Sequence, residues 1–203
     1  MKSLNLLLAS LLLASATPAL GGTAEDCAGN EAARVLAACS VIIETGPTRY
    51  VDVPMAYLNR ARTYLLQGRN EQAIADLIAA TRLSPSYGDA HELLGTAYLA
   101  SGQPRLAIEK YTDAVRIDPD KAEFYYNRGN AYGGIGNFDA AVTDLTIAIR
   151  LAPGMASAYH NRAVVHVHRG DRDAAIKDLR RAIEIDPTYD RAKKALALLD
   201  AQS

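Results

Sequence analysis

The chain has 203 residues, of which 49% are hydrophobic and 22% are charged, and its formal net charge is -1. This is the composition of an ordinary globular protein and not that of a disordered chain. A net charge close to zero gives no long-range reason to expect nucleic acid or an anionic membrane surface as the partner.

The first element in chain order is a predicted signal peptide. Lys2 precedes an apolar run of 11 residues, and small residues follow it. This order is typical of a secretory signal, and the run is shorter than the roughly 20 residues that span a membrane. We therefore expect residues 1–24 to be a signal peptide, cleaved after Ala16 or Ala24, and the protein to be exported without stable membrane insertion. A bacterial periplasm is the expected destination, and secretion or an uncleaved anchor is the alternative.

Cys27 and Cys39 are the only cysteines of the chain. An even pair in an exported protein favours a disulfide, and closing so short a loop stabilises a fold by roughly 2–4 kcal/mol. The alternative is two buried reduced thiols that act as small hydrophobic residues. Their spacing is that of neither a redox motif nor a zinc site, so we expect no catalysis by these thiols.

From residue 54 onward the sequence repeats with a period of 34 residues. Prolines, glycines and alanines recur at this step: Pro85, Pro119, Pro153 and Pro187; Gly68, Gly102, Gly136 and Gly170; Ala73, Ala107, Ala141 and Ala175. Several registers that share one period indicate a repeat architecture, in which each unit buries its apolar face against its neighbours.

Within one period the pattern predicts two helices joined by a turn. Tyr125, Gly129 and Tyr132 recur at steps of four and three residues, which is the spacing of one helical face. Gly136 lies at the break between the helices, and Pro153 marks the end of the second helix.

These residues resemble the tetratricopeptide repeat family, whose pattern has Leu-Gly and Tyr in the first helix and Ala, an aromatic residue and Pro later. Residues 88–121 match it most directly, through Leu94-Gly95, Tyr98, Tyr111 and Pro119. The resemblance implies an all-α fold, a right-handed helical-repeat solenoid of antiparallel helix pairs.

The repeat divides the chain into units. We expect four repeats over residues 54–87, 88–121, 122–155 and 156–189, a capping helix over 190–203, and an N-terminal helical cap or degenerate repeat over 25–53. A solenoid needs such caps because a terminal unit has a neighbour on one side only. The predicted disulfide would then link the two segments of the N-terminal cap.

Three units carry an arginine in the first helix and an aspartate sixteen residues later. The pairs are Arg60 with Asp76, Arg128 with Asp144, and Arg162 with Asp178. In residues 88–121 both positions change together, to Leu94 and Lys110. The joint change predicts a structural ion pair between the two helices of a unit, with a basic binding patch as the alternative.

The resemblance also implies that the first helices line a concave groove which binds a peptide. The groove positions that we expect to contact it are Asn59, Arg62, Asp89, Glu92, Tyr126, Asn127, Asn130, His160 and Asn161. Asparagine amides both donate and accept hydrogen bonds, so a row of them can recognise the backbone of an extended peptide. Asp89, Glu92 and Glu123 would favour a peptide that carries Lys or Arg. The alternative is that these side chains form an ordinary solvated helix surface.

Further groove positions predict an apolar N-terminal half of the groove, namely Leu58, Leu65, Leu66, Leu93 and Leu99. No lysine occupies the positions where the chaperone-binding branch of the family clamps a carboxylate, so we expect a different kind of ligand.

Catalytic and metal-binding motifs are weak. The glycine-rich stretch Gly129 to Gly136 lacks the Lys-Ser/Thr of a phosphate loop. His160, His166 and His168 lie in one helix, but no two are four residues apart, so we predict no metal site and no cofactor. We expect a non-catalytic scaffold that binds a protein or peptide. A self-assembling homo-oligomer is the alternative, and an enzyme or metal carrier that uses the three histidines is a weaker one.

Overall fold

The computed structural model describes residues 24–201. Except for Ala24, the predicted signal peptide lies outside the described residues. Helices and turns account for the described range, which contains no strand. The helices are α1 Ala24–Cys27, α2 Ala32–Thr45, α3 Val53–Leu66, α4 Asn70–Leu83, α5 Gly88–Ala100, α6 Pro104–Ile117, α7 Ala122–Gly134, α8 Phe138–Leu151, α9 Ala156–Arg169, α10 Arg172–Ile185 and α11 Asp190–Asp200.

From α3 to α10 the helices form four pairs, and each pair also packs against the next. The first helices of the pairs are α3, α5, α7 and α9, and the second helices are α4, α6, α8 and α10. The chain is therefore an all-α solenoid of antiparallel helix pairs, and the predicted fold class is confirmed.

Each first helix is followed by a glycine with positive φ. These glycines are Gly68, Gly102, Gly136 and Gly170, with φ between 70° and 81°. Side chains rarely tolerate this left-handed conformation, so glycine is needed where the chain reverses between the two helices of a unit. The recurring glycines of the sequence thus mark turns, as their position at the helical break predicts.

Small residues lie where the two helices of a pair cross. A Cβ atom added to Gly95 would lie 2.7 Å from ring carbons of Tyr111, and one added to Gly129 would lie 3.0 Å from Leu145. Ala141 of α8 is fully buried, in the same cluster as Leu145. Close approach of the helices therefore requires small side chains here, and an added methyl group would create a clash.

The ends of the solenoid have their own cores. At the N-terminal end Cys27, Cys39 and Ile42 pack with Ala56 of α3, and at the C-terminal end Ala192 and Leu199 of α11 cover α10. Cys27 and Cys39 are fully buried, with Cα atoms 4.8 Å apart and sulfur atoms 2.07 Å apart. This position would let a disulfide join α1 to α2, and the oxidation state of the pair stays a prediction. Among residues 24–201, no helix is both long and apolar enough to cross a membrane.

Candidate functional site

The first helices form the inner face of a curved array. α3 contacts α5, α5 contacts α7 and α7 contacts α9, whereas no contact of that extent joins the second helices of neighbouring units within the described range. Because the first helices lie closer together, the array is concave on their side. All nine predicted groove residues belong to these four helices.

In the centre of the groove a carboxylate links α5 to α7. Oε1 of Glu92 accepts a hydrogen bond of 2.7 Å from Nδ2 of Asn127 and one of 3.2 Å from the hydroxyl of Thr96. Burial raises the pKa of Glu92, the hydrogen bond from Thr96 opposes this shift, and the nearby charge of Asp89 adds to it. Asp89 itself forms an ion pair with Lys121, so its charge is already compensated.

A second set of polar side chains links α7 to α9. Nδ2 of Asn161 donates to Oδ1 of Asn130 at 2.8 Å and to the hydroxyl of Tyr126 at 3.1 Å. Oδ1 of Asn161 lies 3.0 Å from Nδ1 of His160. Asn127 and Asn161 therefore act alike, since each reaches back to the first helix of the preceding unit. Sequence reasoning treated these amides only as ligand contacts and missed their bonds across neighbouring units.

Asn59 is the third asparagine of this register, and it faces the N-terminal cap. Together with Arg62 and Leu66 it lines a cavity of about 180 Å³, whose other wall includes Cys27 and Asn30. Arg62 is exposed to solvent. This end of the groove is therefore separate from the polar links around Glu92 and Asn161.

The apolar N-terminal end of the groove is smaller than predicted. Leu58 is only 3% exposed and packs against Ala80 and Ala90, so it belongs to the core between two units and the prediction for it is wrong. Leu66 is 85% exposed. The burial of the Leu58 side chain depends on how the second unit packs on the first, which the repeat pattern alone does not specify.

A notch of about 430 Å³ opens in the groove between α7 and α9. Gly133 and Gly134 lie on the α7 side, and Val164 and His168 lie on the α9 side. The ring of His168 stacks on Phe138, with centroids 5.2 Å apart and planes inclined by 4°. The notch therefore combines glycine backbone, an aliphatic side chain and a stacked ring pair.

The three histidines of α9 point to different neighbours. The ring of His160 meets Tyr189 edge-on at 5.3 Å, and Nδ1 of His166 lies 3.5 Å from a carboxylate oxygen of Asp171. His168 stacks on Phe138, as described above. Among residues 24–201, no group of three or more His, Cys, Asp or Glu side chains is placed to hold a metal ion.

The three arginine–aspartate sets form bidentate pairs between the helices of a unit. Nε and Nη2 of each arginine bond to the two carboxylate oxygens at 2.7–2.9 Å. The third nitrogen, Nη1, reaches a hydroxyl of the preceding unit: Arg60 bonds to Ser40, Arg128 to Thr112 and Arg162 to Thr146. Each arginine thus joins two adjacent units as well as the two helices of its own unit.

Each of these arginines also lies over a tyrosine three residues before it. The distances from the guanidinium carbon to the ring centroid are 5.6 Å at Tyr57, 5.6 Å at Tyr125 and 5.7 Å at Tyr159. Sequence reasoning missed the tyrosines and the hydroxyl partners. The 34-residue step held the signal, since Tyr125 and Thr112 recur as Tyr159 and Thr146.

Residues 88–121 replace this whole arrangement. His91 occupies the tyrosine position, Leu94 the arginine position and Lys110 the aspartate position. Lys110 pairs instead with Asp113 at 3.1 Å, and Nδ1 of His91 lies 3.7 Å from the same carboxylate. Three positions that contact one another have changed as a set, as expected of a structural cluster.

A curved array of helix pairs with one continuous inner face defines a helical-repeat scaffold for protein interaction. The profile described as "Tetratricopeptide repeat" matches residues 58–122 and 126–190, and the chain belongs to the tetratricopeptide repeat family. Repeats of this family are generally non-catalytic interaction modules.

Solved structures of the family share the fold. YrrB, described as a TPR protein with an unusual peptide-binding site, is 26% identical with a TM-score of 0.68, over 82% of this chain and 84% of that chain. MamA is 29% identical with a TM-score of 0.66, over 72% of this chain and 80% of that chain. The first TPR of Spaghetti (RPAP3), solved with the HSP90 peptide SRMEEVD, is 25% identical with a TM-score of 0.55, over 57% of this chain and 91% of that chain. No curated protein matches the chain at a significant level.

Proposed function

We propose that the protein is a non-catalytic scaffold that binds a peptide segment of a partner protein in the groove lined by α3, α5, α7 and α9. The observation that carries the proposal is the unbroken row of polar side chains on three successive first helices, from Glu92 through Asn127 and Asn130 to Asn161. Groups of this kind recognise the backbone and side chains of an extended segment. Two family members are described with peptides or a peptide-binding site.

The partner segment is proposed to carry Lys or Arg. The ion pair of Asp89 with Lys121 removes one of the acidic groups that suggested this preference. Glu92 and the exposed Glu123 remain, and within the described range neither has an ion-pair partner. The local surplus of negative charge therefore supports a basic segment.

We also propose that the protein acts after export, in the bacterial periplasm, with Cys27 and Cys39 oxidised. The signal-like residues 1–24 and the close approach of the two cysteines support this location. Disulfides persist in oxidising compartments and are rare in the cytosol. Separation of the exported fraction from the cytosol, followed by mass spectrometry of the N-terminus, tests export and cleavage together.

Affinity capture from the exported fraction of the source cells tests groove binding. The bait is the protein beside a variant that carries Tyr126→Ala, Asn127→Ala and Asn130→Ala. A matched control carries three exposed substitutions on the second helices, namely Arg105→Ala, Glu109→Ala and Thr143→Ala. All three baits must show the same helical circular dichroism.

A partner that is held by the wild type and the control but lost by the groove variant supports the proposal. A partner held equally by all three baits contradicts it, because the binding surface then lies outside the groove.

Self-assembly through the terminal helices is a second candidate. One observation favours it: Leu198, on the last helix α11, is 65% exposed. An apolar side chain left exposed on a terminal helix is available for contact with a second copy of the chain. Light scattering on the purified protein, beside a Leu198→Glu variant, tests this candidate. Monomers at all concentrations would exclude it.

A further inference from the structure

Two glycines of α7 have no structural reason to be glycine. Neither Gly133 nor Gly134 has a positive φ. A Cβ atom added to Gly134 would meet nothing within 4 Å, and one added to Gly133 would have its nearest neighbour at 3.5 Å, an ordinary contact. Glycine costs up to about 1 kcal/mol relative to alanine in the interior of a helix, and less in a last turn such as this one. The fold thus loses stability at both positions without gaining closer packing.

These glycines leave a space at a place where every other unit carries side chains. At the same two positions the other repeats carry Leu65 and Leu66, Leu99 and Ala100, and Val167 and His168. Only the unit of residues 122–155 has two glycines there, and the result is the notch of about 430 Å³. The backbone and Val164 make the notch apolar, while Asn130 and Asn161 make its rim polar. Such a site suits one large apolar or aromatic side chain whose backbone stays at the rim.

On the preceding first helix, Glu92 has no ion pair within residues 24–201, although the charge of Lys121 is near enough to lower its pKa. Both of its hydrogen bonds end on Oε1, and no hydrogen bond or ion pair reaches Oε2 from the described part of the chain. The nearby Lys121 is paired with Asp89. A partly desolvated carboxylate is unfavourable unless a cation compensates it. Lys or Arg of a bound segment would supply that charge.

The distance between the two features sets a spacing. Glu92 lies in the second turn of α5, and the glycines of the notch lie in the last turn of α7, so the two features are one helix apart across the groove. They are also offset along the helix axis, because Glu92 corresponds to Tyr126 in the 34-residue register and Gly133 follows Tyr126 by about two turns, or roughly 10 Å. Packed helices lie about 8–10 Å apart, and an extended chain advances about 3.3 Å per residue. The two offsets combine to about 14 Å or slightly more, so the two features are about four or five residues apart for a bound peptide.

We propose that the groove selects an extended partner segment with Lys or Arg opposite Glu92 and, about four or five residues away, an aromatic or large aliphatic side chain in the notch at Gly133 and Gly134. This proposal rests on the proposed function and specifies the partner of the same groove.

A phage-displayed library of random short peptides is the probe. Selection on the full chain is expected to enrich peptides with a basic residue and an aromatic or large aliphatic residue about four or five positions apart, in either order along the peptide. Enriched peptides are then synthesised with a fluorescent label, and their binding is measured by anisotropy against the wild type and the variants.

Two variants separate the two features. Glu92→Gln keeps the shape and the hydrogen-bond acceptor but removes the charge, and should weaken binding by about tenfold and remove the preference for Lys or Arg. Gly134→Leu fills the notch, and should weaken binding by about tenfold or more while the basic preference stays. Ala100→Leu is the matched control, because it adds the same side chain at the equivalent exposed position of α5. It should leave binding unchanged.

The outcomes distinguish this proposal from groove binding itself. Enriched peptides that lose binding to the Tyr126→Ala, Asn127→Ala, Asn130→Ala variant but lack the pattern would overturn the selectivity and leave groove binding intact. The same holds if Gly134→Leu binds the peptides as well as Ala100→Leu does. If the selection enriches no peptide whose binding depends on the groove, both proposals are overturned.

Discussion

Arg128 and Asp144 join α7 to α8 through two hydrogen bonds, of 2.7 Å and 2.9 Å. Asp144 is only 4% exposed, so its charge depends on the guanidinium for compensation. The same bidentate geometry occurs in two other units, and it is the strongest form of charge-assisted hydrogen bond. A recurring link of this kind, turned towards the paired helix, belongs to the framework of the repeat rather than to a ligand site.

Removal of one partner should therefore cost more than removal of both. We expect Arg128→Leu or Asp144→Leu alone to lower the free energy of unfolding by about 1–3 kcal/mol, because each leaves a group without its partner. The double variant should lose less than either single variant, since it leaves no uncompensated charge. Urea unfolding of the four proteins in a double-mutant cycle measures the coupling.

Leu145→Ala provides the reference for this cycle. Leu145 is fully buried beside Asp144, and its truncation should cost about 2–5 kcal/mol. If Asp144→Ala left the melting temperature unchanged while Leu145→Ala lowered it, the arginine–aspartate pair would have no structural role.

The sequence predicts contacts within a unit better than contacts between units. The two helices of a unit are joined by a short turn with a glycine at the reversal, so residues sixteen apart, such as Arg128 and Asp144, face each other in a way that the period reveals. The bond from Asn161 to Asn130 has no such signal. It depends on the rotation of one unit against the next, which is set by packing along the whole interface.

Leu58 shows the same limit. Its position in the repeat is a groove position, and the neighbouring Asn59 does line a cavity there. Leu58 is buried because Ala90 of α5 packs against it. The repeat places a side chain on a face of its helix, but the next unit decides whether that face stays open.

Substitution by alanine at two glycines of the first helices, Gly95 and Gly134, should change the free energy of unfolding in opposite directions. Gly95→Ala puts a methyl group 2.7 Å from the ring of Tyr111, so it should lower the free energy of unfolding by about 1–3 kcal/mol. Gly134→Ala meets no neighbouring atom and, at the last residue of α7, should raise it by up to about 0.5 kcal/mol. Chemical denaturation of both variants measures the difference. A loss of stability in Gly134→Ala would contradict the prediction, because the structure shows no atom that the added methyl group would displace.

The N-terminal cap should depend on oxidation of Cys27 and Cys39. Closing their short loop restricts the unfolded chain, and a disulfide there should contribute about 3 kcal/mol. We therefore expect dithiothreitol to lower the melting temperature of protein purified without reductant. A variant with both Cys27→Ser and Cys39→Ser should melt at a lower temperature and be insensitive to the reductant. Two titratable thiols in the unfolded, unreduced protein would contradict the prediction.

Glu92 should weaken the fold at neutral pH. Burial is the main cause that raises its pKa above the ordinary value of 4.5, so the folded state holds its proton more tightly than the unfolded chain does. Well below that pH both states are protonated and the stabilising contribution of the neutral acid is fully present. As the pH rises through the raised pKa, the unfolded chain ionises first and this contribution is lost.

Glu92→Gln should therefore raise the melting temperature at neutral pH and change it little well below pH 4.5. The glutamine carbonyl still accepts the hydrogen bonds of Asn127 and Thr96, so the comparison isolates the charge. Glu123→Gln, at an exposed position of α7, is the control and should have a small effect at both pH values. An equal gain for Glu92→Gln at both pH values would mean that ionisation of the carboxylate is not the cause. A loss of stability at neutral pH would mean that the charged form of Glu92 stabilises the fold without a bound cation.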